Sequence, residues 1–286
     1  VIEVELGVER GIRHMDVQRT TGTPGGRRLR ALRERAGKTQ LWVEAEAELG
    51  TGYLQRIESG RVAQPERATL ERILAALGAR YSERREVMER FGYTVPTPLP
   101  DEDDIAWACA VSHDELHGVP FPAYVLDCRS RLLAWNRYVP HLFGLSPRDP
   151  QLGGLARRPI LAAWLDPTSP LPRLVVEPDA FFPALIRASR AETEFMQGEP
   201  WYAEMMRELQ ELPRFRHYWE LVKREPQTAS AARTLVPVRL AVPGAGTLSF
   251  RLASERFIRD ARFRLIHFIP FDVATMRQCE AWAAAE

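Results

Sequence analysis

Residues 39–58 read TQLWVEAEAELGTGYLQRIE, and their spacing decides the fold of the first third of the chain. Val43, Ala47 and Leu49 are apolar, a tight break follows, and Leu54 and Ile57 repeat at helical spacing. Gln40 opens the first short helix, with Thr39 as its N-cap after the helix-breaking Gly37. Thr51, Gly52 and Gln55 lie near the start of the second, where they face outward. Two short helices locked at a steep angle, the second free on one side, form a helix-turn-helix whose second helix the major groove of DNA admits. Leu29, Leu32 and Ala36 predict a preceding helix, and Leu70, Ile73, Leu74 and Leu77 a following one. That is the compact all-α bundle such a motif requires.

The order T-Q…L-G-x-x-Y-L-x-R-I-E-S-G-R resembles the Xre family of bacterial and phage repressors, with the spacing from Gln40 to Tyr53, Leu54, Ile57, Glu58 and Gly60 kept without a gap. The resemblance implies binding to double-stranded DNA. The residues expected at that interface are Arg27, Arg28, Gln40, Thr51, Gly52, Gln55, Arg56 and Arg61. Gln55 is the best base-edge reader, and Arg27, Arg28 and Arg61 suit phosphate. For the other arginines of the first helix a solvated face and phosphate contact both stay open, and Trp42 is expected to pack between helices. Two positions depart from the family pattern. Glu44 stands where a small residue is usual, and Glu48 where a turn glycine is usual. A positive φ costs Glu48 about 1 kcal/mol relative to glycine. Glutamates at 44, 46 and 48 are also expected to repel phosphate.

A chain of 286 residues accommodates two ordinary domains. No apolar run reaches membrane-span length, and no signal pattern opens the chain, so a cytoplasmic protein without membrane contact is expected. Cys109, Cys128 and Cys279 are odd in number and far apart, which favours reduced thiols. The net charge is only +1, but residues 26–97 hold 14 Lys and Arg against 10 Asp and Glu. The positive excess falls where phosphate would be met. Its small size argues for two copies on one operator, a homodimer.

In chain order we expect an N-terminal arm over 1–25, the DNA-binding bundle over 26–93, a proline-rich acidic linker kept in solvent over 94–104, and a second domain over 105–286. Ile2, Val4, Leu6 and Val8 alternate in the arm. In the second domain Ala123–Asp127 and Leu132–Trp135 read as a hairpin, and Asn136 as the cap of a short helix. That opening, F-P-A-Y-V-L-D-C-R-S-R-L-L-A-W-N, resembles the start of a PAS domain. Residues 155–222 are mostly helical, with aromatic and methionine clusters. Strands follow around Val236–Val242, Leu248–Leu252 and Phe263–Phe271, with Ile266 and Phe268 on the opposite face from Leu265 and His267. A terminal helix runs over Val273–Ala285. The sum is an α+β, PAS-like domain: a five-stranded antiparallel sheet with a helical insert, its helices on one side.

The whole run, over about residues 26–280, resembles the MmyB-like regulators, which join an Xre-type helix-turn-helix to a PAS-like ligand-binding module. The matching pieces are Ala134–Asn136, Arg158–Pro167 (RPILAAWLDP), Glu208–Trp219 and the closing strands. The resemblance implies a small-molecule pocket, and a fatty-acyl chain fits the apolar character of the insert. Trp135, Phe143, Trp164, Phe182, Trp219, Phe250 and Leu252 are the expected walls, with Arg251 or His217 as partner of the carboxylate. No cofactor, metal or catalytic residue is expected. His113-Asp-Glu-Leu-His117 lacks the glutamate directly after its first histidine that zinc peptidases need, and reads as a polar surface helix. His217 and His267 lie in apolar patterns and read as core histidines. The expected function is a DNA-binding transcription regulator that senses a small apolar ligand. The rivals are an adaptor whose second domain binds a protein, and an enzyme built on the histidine pair.

Overall fold

Apolar spacing becomes helix where a cap is available to start it. The computed structural model describes residues 22–146, 149–156, 158–224 and 235–284, and the chain divides into two units between Val95 and Pro96. The alternating stretch of the expected arm lies outside the described residues.

The first unit holds α1 (Pro24–Arg35), α2 (Gln40–Glu46), α3 (Tyr53–Glu58), α4 (Arg67–Ala76) and α5 (Tyr81–Arg90). Thr23 caps α1 by accepting from the Gly26 amide, and Thr39 caps α2 by accepting from Trp42. Leu29, Leu32, Val43, Leu54, Ile57, Leu70, Ile73 and Leu74 close the core between them. A Cβ on Gly26 would stand 2.4 Å from the Ile57 carbonyl oxygen, so only glycine lets α1 lie this close to α3. The turn between α2 and α3 holds Glu48 at φ 53°, the left-handed region that favours glycine.

The second unit opens with α6 (Glu102–Val111) and α7 (His113–Gly118), then β1 (Ala123–Leu126), β2 (Leu132–Trp135) and α8 (Tyr138–Leu142). The insert follows as α9 (Pro150–Ala156), α10 (Ile160–Leu165), α11 (Leu171–Leu174), α12 (Pro178–Glu192), a 3-10 turn (Glu194–Met196), α13 (Pro200–Gln210) and α14 (Pro213–Lys223). Strands β3 (Leu235–Val242), β4 (Gly246–Arg256) and β5 (Arg264–Pro270) and helix α15 (Val273–Ala284) complete it. The sheet runs β2-β1-β5-β4-β3, with every neighbour antiparallel.

One face of the sheet, with Tyr124, Leu252, Ile266 and Phe268, packs into a single core with the insert. The helices are not confined to that side. Leu116 of α7 packs on Ala123, Val125 and Leu265 of the opposite face. Asn136 joins these parts. Its Oδ1 accepts from the amides of Ala123 (3.2 Å) and Tyr138 (3.3 Å), and its Nδ2 donates to the carbonyls of Leu116 (3.0 Å) and Phe121 (2.8 Å).

The stretch 94–104 is not a solvated spacer. Thr97 is buried. Its amide donates to Glu199 Oε1 at 2.6 Å, and its carbonyl accepts from Trp201 Nε1 at 2.7 Å. Asp104 receives Arg262 Nη2 at 2.7 Å, beside Asp260 at 2.8 Å. Asp101, Glu102 and Asp103 are exposed as expected, while Asp104 serves a buried arginine and Thr97 is drawn into the second unit.

Two outcomes follow. Glu48→Gly removes a left-handed side chain at a modest entropic cost to the unfolded chain, so denaturant unfolding should show a net gain of about 0.5–1 kcal/mol. Burial raises the Cys128 thiol to about 12 and the Cys279 thiol to about 11. Both should therefore resist alkylation at pH 8 in the native protein and react once it is unfolded, as peptide mass mapping would record.

Candidate functional site

Two surfaces carry chemistry, one in each unit. In the first, α3 turns its apolar residues Leu54 and Ile57 inward and leaves Thr51, Gln55 and Arg56 exposed, with Arg61 exposed in the following loop. Arg56 lies over the Tyr53 ring at 5.1 Å. This gives α3 a polar face of the kind that enters a groove. Gly52 stands at φ 79° as the N-cap of α3.

The remaining residues of the expected DNA set are placed differently. Gln40 donates to Glu58 Oε2 at 2.7 Å, and Arg33 grips the same carboxylate through Nε at 2.7 Å and Nη2 at 3.0 Å. Arg28 is paired with Glu86 at 2.6 Å, while the exposed Arg27 donates to the Gly22 carbonyl. Trp42 is not packed between helices. It is 38% exposed, with Lys38 Nζ 3.8 Å above its ring.

Glu44 also departs from expectation. It is buried, and its carboxylate accepts from the amides of Gly52 (3.0 Å) and Leu54 (2.8 Å). A helix as short as α3 has no side-chain cap of its own, and the carboxylate supplies one from α2, at the end of the helix dipole that favours negative charge. It therefore holds the reading helix and does not confront phosphate.

In the second unit a hollow lies between the inner face of the sheet and the insert, with about 540 Å³ of atom-free space, part of it open to solvent. Strand alternation brings Tyr124, Leu126, Leu252, Ser254, Arg264 and Ile266 to it. Helix α12 contributes Leu185, Ala188, Ser189 and Glu192, spaced as one helical stripe, and Ile160, Leu161 and Trp164 come from α10. A second, much smaller hollow between α12, α13 and α14 shares Leu161 and Ser189 with it.

Of the expected walls, Trp164 and Leu252 line the first hollow and Trp219 the second. Phe143, Phe182 and Phe250 are filled into the core beyond it, and Trp135 is half-buried on β2. Neither expected carboxylate partner reaches the hollow. His217 is exposed on α14 and not a core histidine, and Arg251 lies across Phe271 at 4.3 Å on the opposite register of β4. The buried cation in the wall of this hollow is Arg264. Its Nη1 meets Glu192 at 3.1 Å, its Nη2 donates to Ser130 Oγ, and among the described residues its Nε has no acceptor. The signal was present in the sequence. Arg264 shares the parity of Ile266 and Phe268, so a lone arginine occupies the inward register of a core strand. Burial raises the Tyr124 phenol, partly offset by a hydrogen bond with Trp164, and keeps it neutral.

A groove-entering helix and a lined hollow in separate units define a DNA-binding regulator with a ligand-binding domain. Residues 114–280 match the family model described as the MmyB-like transcription regulator ligand binding domain, and residues 26–87 match that of a helix-turn-helix domain. The first match covers more than half of the chain, which therefore belongs to the MmyB-like transcription regulators. No curated protein matches it. Among the described residues no helix is long and apolar enough to cross a membrane.

Removing the carboxylate that caps α3 strands two backbone amides. Glu44→Ala is expected to lower the unfolding free energy of the first unit by roughly 1–3 kcal/mol, while Glu44→Gln, which keeps an acceptor, loses less. Chemical unfolding followed by circular dichroism separates the two.

Proposed function

We propose that this regulator acts in the cytoplasm as a homodimer and that its hollow holds a fatty-acyl chain. The observation that carries the ligand reading is the apolar lining of the hollow between sheet and insert, with Leu126, Ile160, Leu161, Trp164, Leu252 and Ile266 in its walls. Each methylene removed from water contributes about 0.8 kcal/mol, so a dozen give on the order of 10 kcal/mol. Association costs remove several kcal/mol and leave micromolar binding or better. The strand order β2-β1-β5-β4-β3 and the long insert support the PAS-like reading of this domain.

On DNA, Gln55 is the base reader and pairs with an adenine edge. Arg27, Arg56 and Arg61 meet phosphate, and Thr51 and Gly52 allow the backbone to approach. Gln40 and Arg28, already paired with Glu58 and Glu86, position the reading helix and the bundle. One copy of so modestly basic a module makes few phosphate contacts, and two copies on half-sites roughly 34 Å apart double them.

Gln55→Ala should lose roughly 1–3 kcal/mol at one base position, whereas Arg61→Ala should weaken all sequences alike and flatten the salt dependence. Binding titrations on an operator and its single-base variants read both, and an unchanged base preference in Gln55→Ala rejects this register of α3. For the ligand, denaturing extraction of the purified protein followed by mass spectrometry should release an acyl species. No such species, with no thermal shift from added medium-chain fatty acids, would leave a protein-binding adaptor as the better reading.

A further inference from the structure

The hollow is apolar on most sides, yet a complete guanidinium is buried in its wall. The Arg264 side chain is 8% exposed, and a charge so far from water must be met by partners. Its hydrogen bonds are unevenly distributed. Nη1 holds Glu192, while Nη2 has Ser130 Oγ and Nε has nothing among the described residues. The Nε–Nη2 edge is the planar fork that receives a carboxylate through two parallel bonds, and here it has one neutral acceptor.

We infer that Arg264 receives the polar end of the ligand, that this end is a carboxylate, and that Glu192 is a built-in competitor for the same guanidinium. The inference rests on the acyl-binding reading and adds to it the head group and the residue that selects it. In this structure Arg264 and Glu192 neutralise each other. A second carboxylate on the same guanidinium repels the first. Glu192 is the one to give way. At 18% exposure against 8% for Arg264 it is the partner nearer water, and it is the last residue of α12. Arg264 is fixed by its place within β5. Glu192 therefore weakens every acid that binds, and an uncharged head group gains nothing from displacing it.

The test uses the full chain, with dodecanoate and its methyl ester as probes. They share one apolar chain and one carbonyl acceptor and differ in charge. By titration calorimetry, Glu192→Gln should bind dodecanoate roughly tenfold more tightly than the parent and leave ester affinity within about twofold. In the double variant Arg264→Gln with Glu192→Gln, which removes both buried charges together, the preference for acid over ester should fall by at least about tenfold. The single variant keeps Arg264, so the test stands even where the double variant does not fold. Unchanged dodecanoate affinity in Glu192→Gln overturns the competitor role, and an acid preference that survives in a folded double variant overturns the role of Arg264. Both results leave the acyl-binding reading intact. If neither probe binds the parent or either variant, the acyl-binding reading itself falls, and this inference with it.

Discussion

A charge taken out of water has to be met inside the protein, and this constraint shapes both units. In the first, the Glu58 carboxylate is held by Arg33 from α1 and Gln40 from α2, so one buried anion joins three helices. Glu44 is met by two backbone amides at the start of α3. In the second, Arg262 is answered by Asp260 and Asp104, and Arg264 by Glu192 and Ser130. Apolar burial supplies the bulk of the driving force. The buried ions instead determine which neighbour each element must take, because a lost partner leaves an uncompensated charge.

The two units use this constraint to different ends. Around Glu58 and Glu44 the donors and acceptors are matched, and the result is a rigid platform that leaves the outer face of α3 to solvent. A helix of six residues is too short to be stable by its own propensity, so its direction is borrowed from α1 and α2 through those carboxylates. Around Arg264 one nitrogen lacks an acceptor among the described residues. That lack is tolerable where a ligand can supply the missing oxygen, and costly anywhere else.

Much of this was legible in the sequence, and the reasons are local. Thr39, Gly37 and the spacing of Leu54 and Ile57 are short-range signals, and they placed the helix-turn-helix. Alternation placed the three closing strands, most plainly β3, where every second residue is buried. Glu48 could be assigned a left-handed turn because the rest of the motif fixed its position. What was not legible depends on partners distant in the chain. Glu44 looks like a surface acid until Gly52 and Leu54 are folded over it. The linker looks solvated until Thr97 meets Glu199 and Trp201, about a hundred residues further on. The hollow was harder still. Phe143, Phe182 and Phe250 have the same apolar character as Trp164 and Leu252, and only packing decides which of them face the empty space.

The borders of the sheet have a consequence of another kind. An open strand edge offers unpaired amides and carbonyls to any passing chain. Here the protein occupies part of both borders itself. On β3 the Val176 amide donates to the Arg239 carbonyl, Val175 bridges to Leu240, and Pro237 has no amide to offer. Beyond β2, Arg131 bridges to Pro159 and the Ile160 amide donates to Ser130. Main-chain recruitment along the covered parts of these borders is obstructed, which works against edge-to-edge aggregation. Any chain that approaches these covered stretches must therefore be recognised by side chains, which can change without disturbing the sheet.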